Sequence, residues 1–302
     1  MNYKKLYPDW KHGDRKDAVW LKDIDSMHAF MPYLMPNRAD NEAVLLETVD
    51  LTAVEDYIAR KNAEDPEFKY TIFHILCAAL GKTIVLNPKL NRFIAGHRLY
   101  QRRDISLTFV VKKKFAESAD EALAIFAFDQ SSEVSPLDQF RERLYKIIYS
   151  VRKENKTDGT TAIMDVLVKL PRWMLRCVMG ILNFLDYYGQ VPAAISKDDP
   201  YNATVFVSNL GSIKMKANYH HLANWGTNSV FCIIGEKHQE PFFDPVTGTY
   251  ELRTAVDLGL TIDERIADGL YFGQAVKLLR ELLAHPELLE RPLMESVEWV
   301  KL

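Results

Sequence analysis

The stretch Thr261-Ile262-Asp263-Glu264-Arg265-Ile266-Ala267-Asp268-Gly269, followed at once by Leu270-Tyr271-Phe272-Gly273-Gln274-Ala275-Val276-Lys277-Leu278-Leu279, reads as a strand end, a tight acidic turn and a helix start. Apolar residues alternate over 256–262, as in a half-buried strand. Asp268 is placed as an N-cap, because a carboxylate just ahead of a helical run accepts from the free backbone N–H groups of the first turn. Leu270, Val276, Leu279, Leu282 and Leu283 form the apolar side, and His285-Pro286 closes the helix, since proline cannot extend the hydrogen-bond ladder.

Working outward, residues 43–50 (Ala-Val-Leu-Leu-Glu-Thr-Val-Asp) read as a strand, and Asp50-Leu51-Thr52 opens a helix to about Ala63 with Leu51, Val54, Tyr57 and Ile58 on one side. A second helix spans 71–86 and ends at Asn87-Pro88-Lys89-Leu90-Asn91. Residues 94–113 read as a hairpin, with a turn at Ala95-Gly96-His97 and a return strand through Ile105, Leu107, Phe109 and Val111. Residues 121–128 alternate as another strand, with a helix left open by their alanines, and Pro136 starts a helix to about Lys153. The segment 201–211 contains a strand at Ser208, 229–235 returns as a strand, and Asp244-Pro245-Val246-Thr247-Gly248-Thr249 is a turn joining two further strands. Residues 27–36 contain too much proline for a long regular element. The interleaving of strands and helices makes the chain an α/β protein.

Bulk properties bound the rest. A chain of 302 residues, 48% hydrophobic, buries a large core. A formal net charge of -3 with no basic face gives no footing for nucleic acid. Cys77, Cys177 and Cys232 are odd in number and lie in apolar stretches, which is the pattern of buried free thiols in a reducing compartment, so a cytoplasmic location is expected. The first thirty residues hold no apolar signal core. Residues 161–188 form an apolar helix with one narrow polar stripe (Asp165, Lys169, Arg172, Arg176, Asn183), divided or kinked at Pro171. It is too charged to span a membrane. Burial on most sides or against a second subunit is expected, with a peripheral membrane or acyl-chain contact as the alternative.

Three of these segments carry a family resemblance. The turn resembles the His-x-x-x-Asp-Gly signature of the chloramphenicol acetyltransferases and the dihydrolipoamide acyltransferase catalytic domains of 2-oxoacid dehydrogenase complexes. The usual wording in the second group is close to Asp-His-Arg-Val-Ile-Asp-Gly. Here the residues are Asp263-Glu264-Arg265-Ile266-Ala267-Asp268-Gly269, with Glu264 in place of the histidine. Phe206-Val207-Ser208-Asn209-Leu210-Gly211 is similar to the family's Phe-Thr-Ile-Ser-Asn-Leu-Gly, and Pro88-Lys89-Leu90-Asn91 to its Pro-Glu-Leu-Asn. The resemblance covers about 43–289.

It implies a two-layer α/β sandwich with a mixed sheet, and a homotrimer whose active sites lie between subunits. It also implies transfer of an acyl group from coenzyme A to a hydroxyl or amine acceptor. By position Glu264 stands where the base belongs, Ser208 where a hydroxyl donates to the oxyanion, and Asp268 where a loop is anchored by pairing with an arginine. The substitution at 264 leaves two readings open. Carboxylates titrate near 4.3 in model peptides, so a glutamate base requires burial, which Ile262, Ile266 and Tyr271 would supply. Otherwise Glu264 is a solvated or Arg265-paired turn residue in a non-catalytic relative that binds a ligand or partner. His220 and His221 follow the Ser208 strand, and either substitute as base, line the acceptor pocket, or lie on the surface.

No metal is expected, since no histidine pair has zinc spacing with cysteine partners. Nor is there a glycine-rich phosphate loop or a Gly-x-Ser-x-Gly elbow. The organisation read from this is a wrapping segment at 1–42, held by Trp10 and Trp20, and a catalytic domain at 43–302 with a hydrophobic helical insertion at 161–188. About forty polar residues precede Ala43, so no lipoyl domain is expected.

Overall fold

The computed structural model describes residues 11–112, 121–153, 167–196 and 199–298. Its larger sheet runs in the order β2 (Glu42–Asp50), β9 (Thr249–Asp263), β8 (Val230–Asp244), β7 (Val205–Asn209), β5 (Ser106–Lys112), β6 (Glu121–Ala127). The sheet is mixed, as expected: β7 lies parallel to both β5 and β8, and the other pairs are antiparallel. A small sheet joins β1 (Ala18–Trp20), β4 (Arg98–Arg102) and β3 (Arg92–Ala95).

Side chains alternate across a strand, so each strand of the large sheet gives one set to each face. Val256, Leu258, Leu260 and Ile262 of β9 join Val230, Cys232 and Ile234 of β8 and Val205 and Val207 of β7 in the main core. Helices α2 (Thr52–Ala63), α3 (Ile72–Leu86), α4 (Pro136–Lys153) and α6 (Gly269–Ala284) cover that face, giving the expected two layers. Asp268 caps α6 by accepting from the Tyr271 N–H at 2.9 Å, and Asp50, one residue before the N-cap of α2, accepts from the Thr52 N–H at 2.9 Å. The other face of the sheet carries Phe206, Phe231 and Ile233, covered by the segment that includes Ala217 and Leu222.

Several expectations are corrected. The turn at Gly96-His97 forms, but its return strand is β4, after which the chain crosses to the large sheet as β5. Apolar alternation misses β4 because the strand buries an arginine: Arg102 donates to Asn202 O at 2.6 Å and to Thr227 O and Oγ1 at 2.9 and 2.7 Å. Residues 239–244 and 249–254 are not separate strands. They continue β8 and β9 past the end of β2 as a two-stranded ribbon. Despite Pro32, a nine-residue helix α1 (Ser26–Leu34) forms, capped by Asp25.

The apolar helix is divided at Pro171, which occupies the N-cap of α5 (Arg172–Tyr187), and residues 161–166 lie outside the described ones. Within the single chain no residue of α5 is buried, so of the two expected covers, the body of the fold and a second subunit, the first does not form. Cys77 and Cys232 are buried free thiols, whereas Cys177, on α5, is exposed. Trp20 lies in β1 with the Arg98 guanidinium 4.0 Å above its ring, and Trp10 lies outside the described residues. No helix among the described residues is long and apolar enough to cross a membrane.

Candidate active site

At the end of β9 the chain buries Asp263 and Arg265 side by side, at 0% and 1% exposure. The guanidinium of Arg265 grips the Asp263 carboxylate through two bonds of 2.8 and 2.7 Å, and its third arm donates to the carbonyls of Met35 and Pro36 at 2.9 and 3.1 Å. A second buried arginine, Arg38, places Nε 3.7 Å from the same carboxylate and donates to the carbonyls of Ala223 at 2.6 Å and Gly226 at 3.1 Å. Burial lowers the Arg38 pKa to about 10, which leaves it cationic at neutral pH. Two cations surround one carboxylate and backbone carbonyls take the terminal N–H groups of both guanidinium groups, which offsets most of the cost of burying the charges, although Arg38 Nε has no hydrogen-bond partner among the described residues.

This cluster decides where Glu264 goes. With residues 263 and 265 turned inward, the side chain between them turns out, and Glu264 is exposed on a single tight turn, Glu264–Ile266. Its backbone N–H donates to Asn41 O at 2.9 Å. Ile262 and Ile266 face the core and the Tyr271 hydroxyl accepts from the Lys89 N–H at 3.1 Å, so within one chain these three do not bury the carboxylate. Arg265, held by Asp263, does not pair with it either. Asp268 caps α6, and the Tyr271 N–H holds its carboxyl below the usual range. Among the described residues it has no arginine partner, and the ion pair that fixes the loop belongs to Asp263. A cavity of about 200 Å³ opens beside the turn, lined by Pro32, Asn37, Arg38, His97, Asp186 and Asn224 among others.

Ser208 lies on β7, on the face of the sheet opposite α2, α3, α4 and α6, two residues from Phe206 on the same face. Beyond it Asn209 Oδ1 accepts from the Ser212 N–H at 3.2 Å, while Ser212 Oγ donates to Asn209 O at 2.8 Å, closing a turn that folds the chain back over this face. Gly211 is required there, because a side chain would overlap the Gly235 carbonyl. The returning segment brings His220 flat onto Phe231, at 4.2 Å between ring centres and 11°. Phe231 stacks on Phe206 at 4.8 Å, and His221 on the outer side of His220 at 4.6 Å. His220 and His221 thus belong to a four-ring ladder that starts at Phe206 on β7 and runs across β8, and both are exposed.

The register places Ser208 beside Ile233, and Ile233 opposite Gly259, five residues before Glu264 on β9. Five residues of strand and two strand spacings put the two groups roughly 20 Å apart. One chain therefore does not bring Ser208 and Glu264 together. The stack sets His220 on the far side of Phe231 from Phe206, toward β9, where Phe231 is paired with Thr261. Sequence reasoning passed over Arg38 and the Asp263–Arg265 pair. The alternate spacing of 263 and 265 at a strand end was a signal for the pair, whereas Arg38 had none nearby in sequence.

No family model and no curated relative matches the sequence. Solved structures do match the fold. The dihydrolipoamide acetyltransferase of Azotobacter vinelandii, solved to define the role of a serine, a histidine and an asparagine in its catalytic mechanism, aligns with a TM-score of 0.57 at 17% identity, over 89% of this chain and 93% of that one. A catalytic core of the 2-oxoacid dehydrogenase multienzyme complex from Thermoplasma acidophilum gives 0.53 at 14% identity, over 89% and 99%. A chloramphenicol acetyltransferase gives 0.52 at 12% identity, over 88% and 99%. The chain has the fold shared by the dihydrolipoamide acyltransferase catalytic cores and chloramphenicol acetyltransferase.

Proposed function

We propose that the protein is an acyltransferase that moves an acyl group from coenzyme A to a hydroxyl or amine acceptor, working as a homotrimer with its active sites between subunits. The observation that carries this is the pair of segments that resemble the acyltransferase motifs, Ser208–Gly211 and Asp263–Gly269, in a chain of that fold. Their separation of roughly 20 Å within one chain fits a site that two chains complete. In this reading Ser208 of one subunit donates to the oxyanion and Glu264 of its neighbour supplies the carboxylate at the base position, where apposition of the neighbour also supplies burial. Asp268 holds the first turn of α6.

The test is release of coenzyme A thiol from acyl-coenzyme A esters with a panel of acceptors. Ser208→Ala and Glu264→Gln are each expected to slow turnover by about a hundredfold or more. Mixing the two inactive proteins after partial dissociation is expected to restore activity, because hybrid trimers contain interfaces with both native groups. Single variants that keep wild-type rates refute the site, and mixtures that stay silent refute the shared interface. A second reading, a non-catalytic relative that binds a ligand or partner, draws on the exposure of Glu264 in the single chain. Coenzyme A binding without thiol release from any ester would favour it.

One further feature bears on the acceptor. On α5, Trp173, Ile181 and Phe184, with Tyr188 at its C-cap, are exposed along one stripe, flanked by Arg172 and Arg176. Apolar and aromatic residues beside cations fit the headgroup region of an anionic membrane, and this part of the reading makes the acceptor or the acyl chain a lipid-like one.

A further inference from the structure

Among the proposed site residues, the structure orients one ring nitrogen for proton transfer, and it is not on the turn. His220 Nδ1 lies 2.8 Å from the carbonyl oxygen of His221. A carbonyl oxygen only accepts, so Nδ1 carries the hydrogen, and the neutral ring has its lone pair at Nε2. Nε2 has no hydrogen-bond partner among the described residues, and the ring is exposed. The plane of the ring is fixed by Phe231 on one side and His221 on the other. An imidazole with one nitrogen tied to an acceptor, the other open and the ring clamped has the arrangement a general base needs. The Phe231 beneath it pairs with Phe206, two residues before Ser208 on the same strand face.

We propose that His220 is the base of the transfer. This rests on the acyltransferase reading and moves the proton from Glu264 to His220, leaving Glu264 of the same subunit, three residues beyond the Thr261 that pairs with Phe231, as the carboxylate that stabilises the imidazolium. His220 Nε2 takes the proton of the acceptor hydroxyl or amine as that oxygen or nitrogen forms its bond to the thioester carbonyl carbon. The oxyanion is held by Ser208 of the partner subunit. When the carbon–sulfur bond breaks, the departing thiolate takes the proton from Nε2, and coenzyme A leaves as the free thiol with His220 neutral again. The replacement of histidine at 264 is then offset by an imidazole brought in from the sheet face that carries Ser208.

The test uses the full chain with an acyl-coenzyme A ester that the wild type turns over. His220→Ala is expected to lose about a hundredfold or more in kcat. Added imidazole should restore a measurable part of it, because the vacated place over Phe231 is open to solvent. His220→Phe keeps the stack on Phe231, and is expected to stay folded, slow and beyond rescue by imidazole. His220→Phe with wild-type kcat overturns the proposal. So does a folded His220→Ala that is slow and gains nothing from imidazole. Failure of the underlying acyltransferase reading looks different: the wild type itself releases no thiol and its melting temperature does not respond to coenzyme A.

Discussion

Helices α5 and α6 are each sixteen residues long and both carry apolar residues at helical spacing, yet α6 buries Phe272, Ala275, Leu278, Leu279, Leu282 and Leu283 while α5 buries nothing. The difference lies in their neighbours. α6 starts at the capped turn after the central strand β9 and comes down against α3 and the sheet. α5 is tied at its C-terminal end: Arg15 donates to Asp186 O at 3.0 Å, and Gly96 admits the Tyr187 carbonyl. Periodicity fixes which side of a helix is apolar, and only the rest of the fold, or something outside it, decides what that side meets.

The contrast can be broken in the α6 layer first. Leu282→Ala removes side-chain volume from a fully buried position and is expected to cost about 2–5 kcal/mol in chemical denaturation. A cost below 1 kcal/mol would place α6 in the same class as α5.

The same layer predicts an acid sensitivity. His74 of α3 is buried, with Nδ1 accepting from the Thr71 N–H at 3.0 Å, and burial lowers its pKa to about 4. The unfolded chain titrates that group near 6.5. As pH falls from about 6.5 toward 4, the unfolded state takes a proton that the folded state refuses, and stability drops by about 1.4 kcal/mol per unit. The loss is complete only below the folded pKa. Denaturation midpoints across this range should show a shallower acid slope in His74→Gln than in the wild type, and equal slopes would remove His74 as the cause.

The smallest effect on folding is expected on α5. Phe184→Ser changes an exposed side chain and should alter stability by no more than about 0.5 kcal/mol. The same substitution together with Trp173→Ala should abolish flotation with vesicles of anionic lipid. A wild-type protein that floats with neither anionic nor neutral vesicles would remove the membrane reading of the exposed stripe.

How far the chain could be read from sequence follows the same division between local and distant causes. The strand, turn and helix around Asp268 were legible because each signal acts within a few residues: alternation, an N-capping carboxylate, an apolar stripe. The long central helix α3 was legible for the same reason. β4 was hidden because Arg102 is buried among carbonyls of residues more than a hundred positions away or nearly so, and no local pattern announces such a partner. The outward direction of Glu264 depends on Arg38, Met35 and Pro36 receiving Asp263 and Arg265 from across the fold. The distance between Ser208 and Glu264 is a property of strand register, set by the whole sheet. The ring clamp on His220 needs Phe206 and Phe231 from two strands, which sequence order alone does not bring together.

The segment that carries His220 is seated on the sheet through positions that have no side chain. At Gly211 the space a methyl group would take is filled by the Gly235 carbonyl, and at Gly259 by the Asn218 carbonyl. Adding one carbon at either place lifts the whole loop away from its strand. Residues that meet a substrate can be exchanged for one another as chemistry demands, but these bare positions cannot be exchanged for anything. Among variants selected for a new acceptor, changes should therefore gather on the rings and carboxylates of the site and stay away from the two glycines that hold it down.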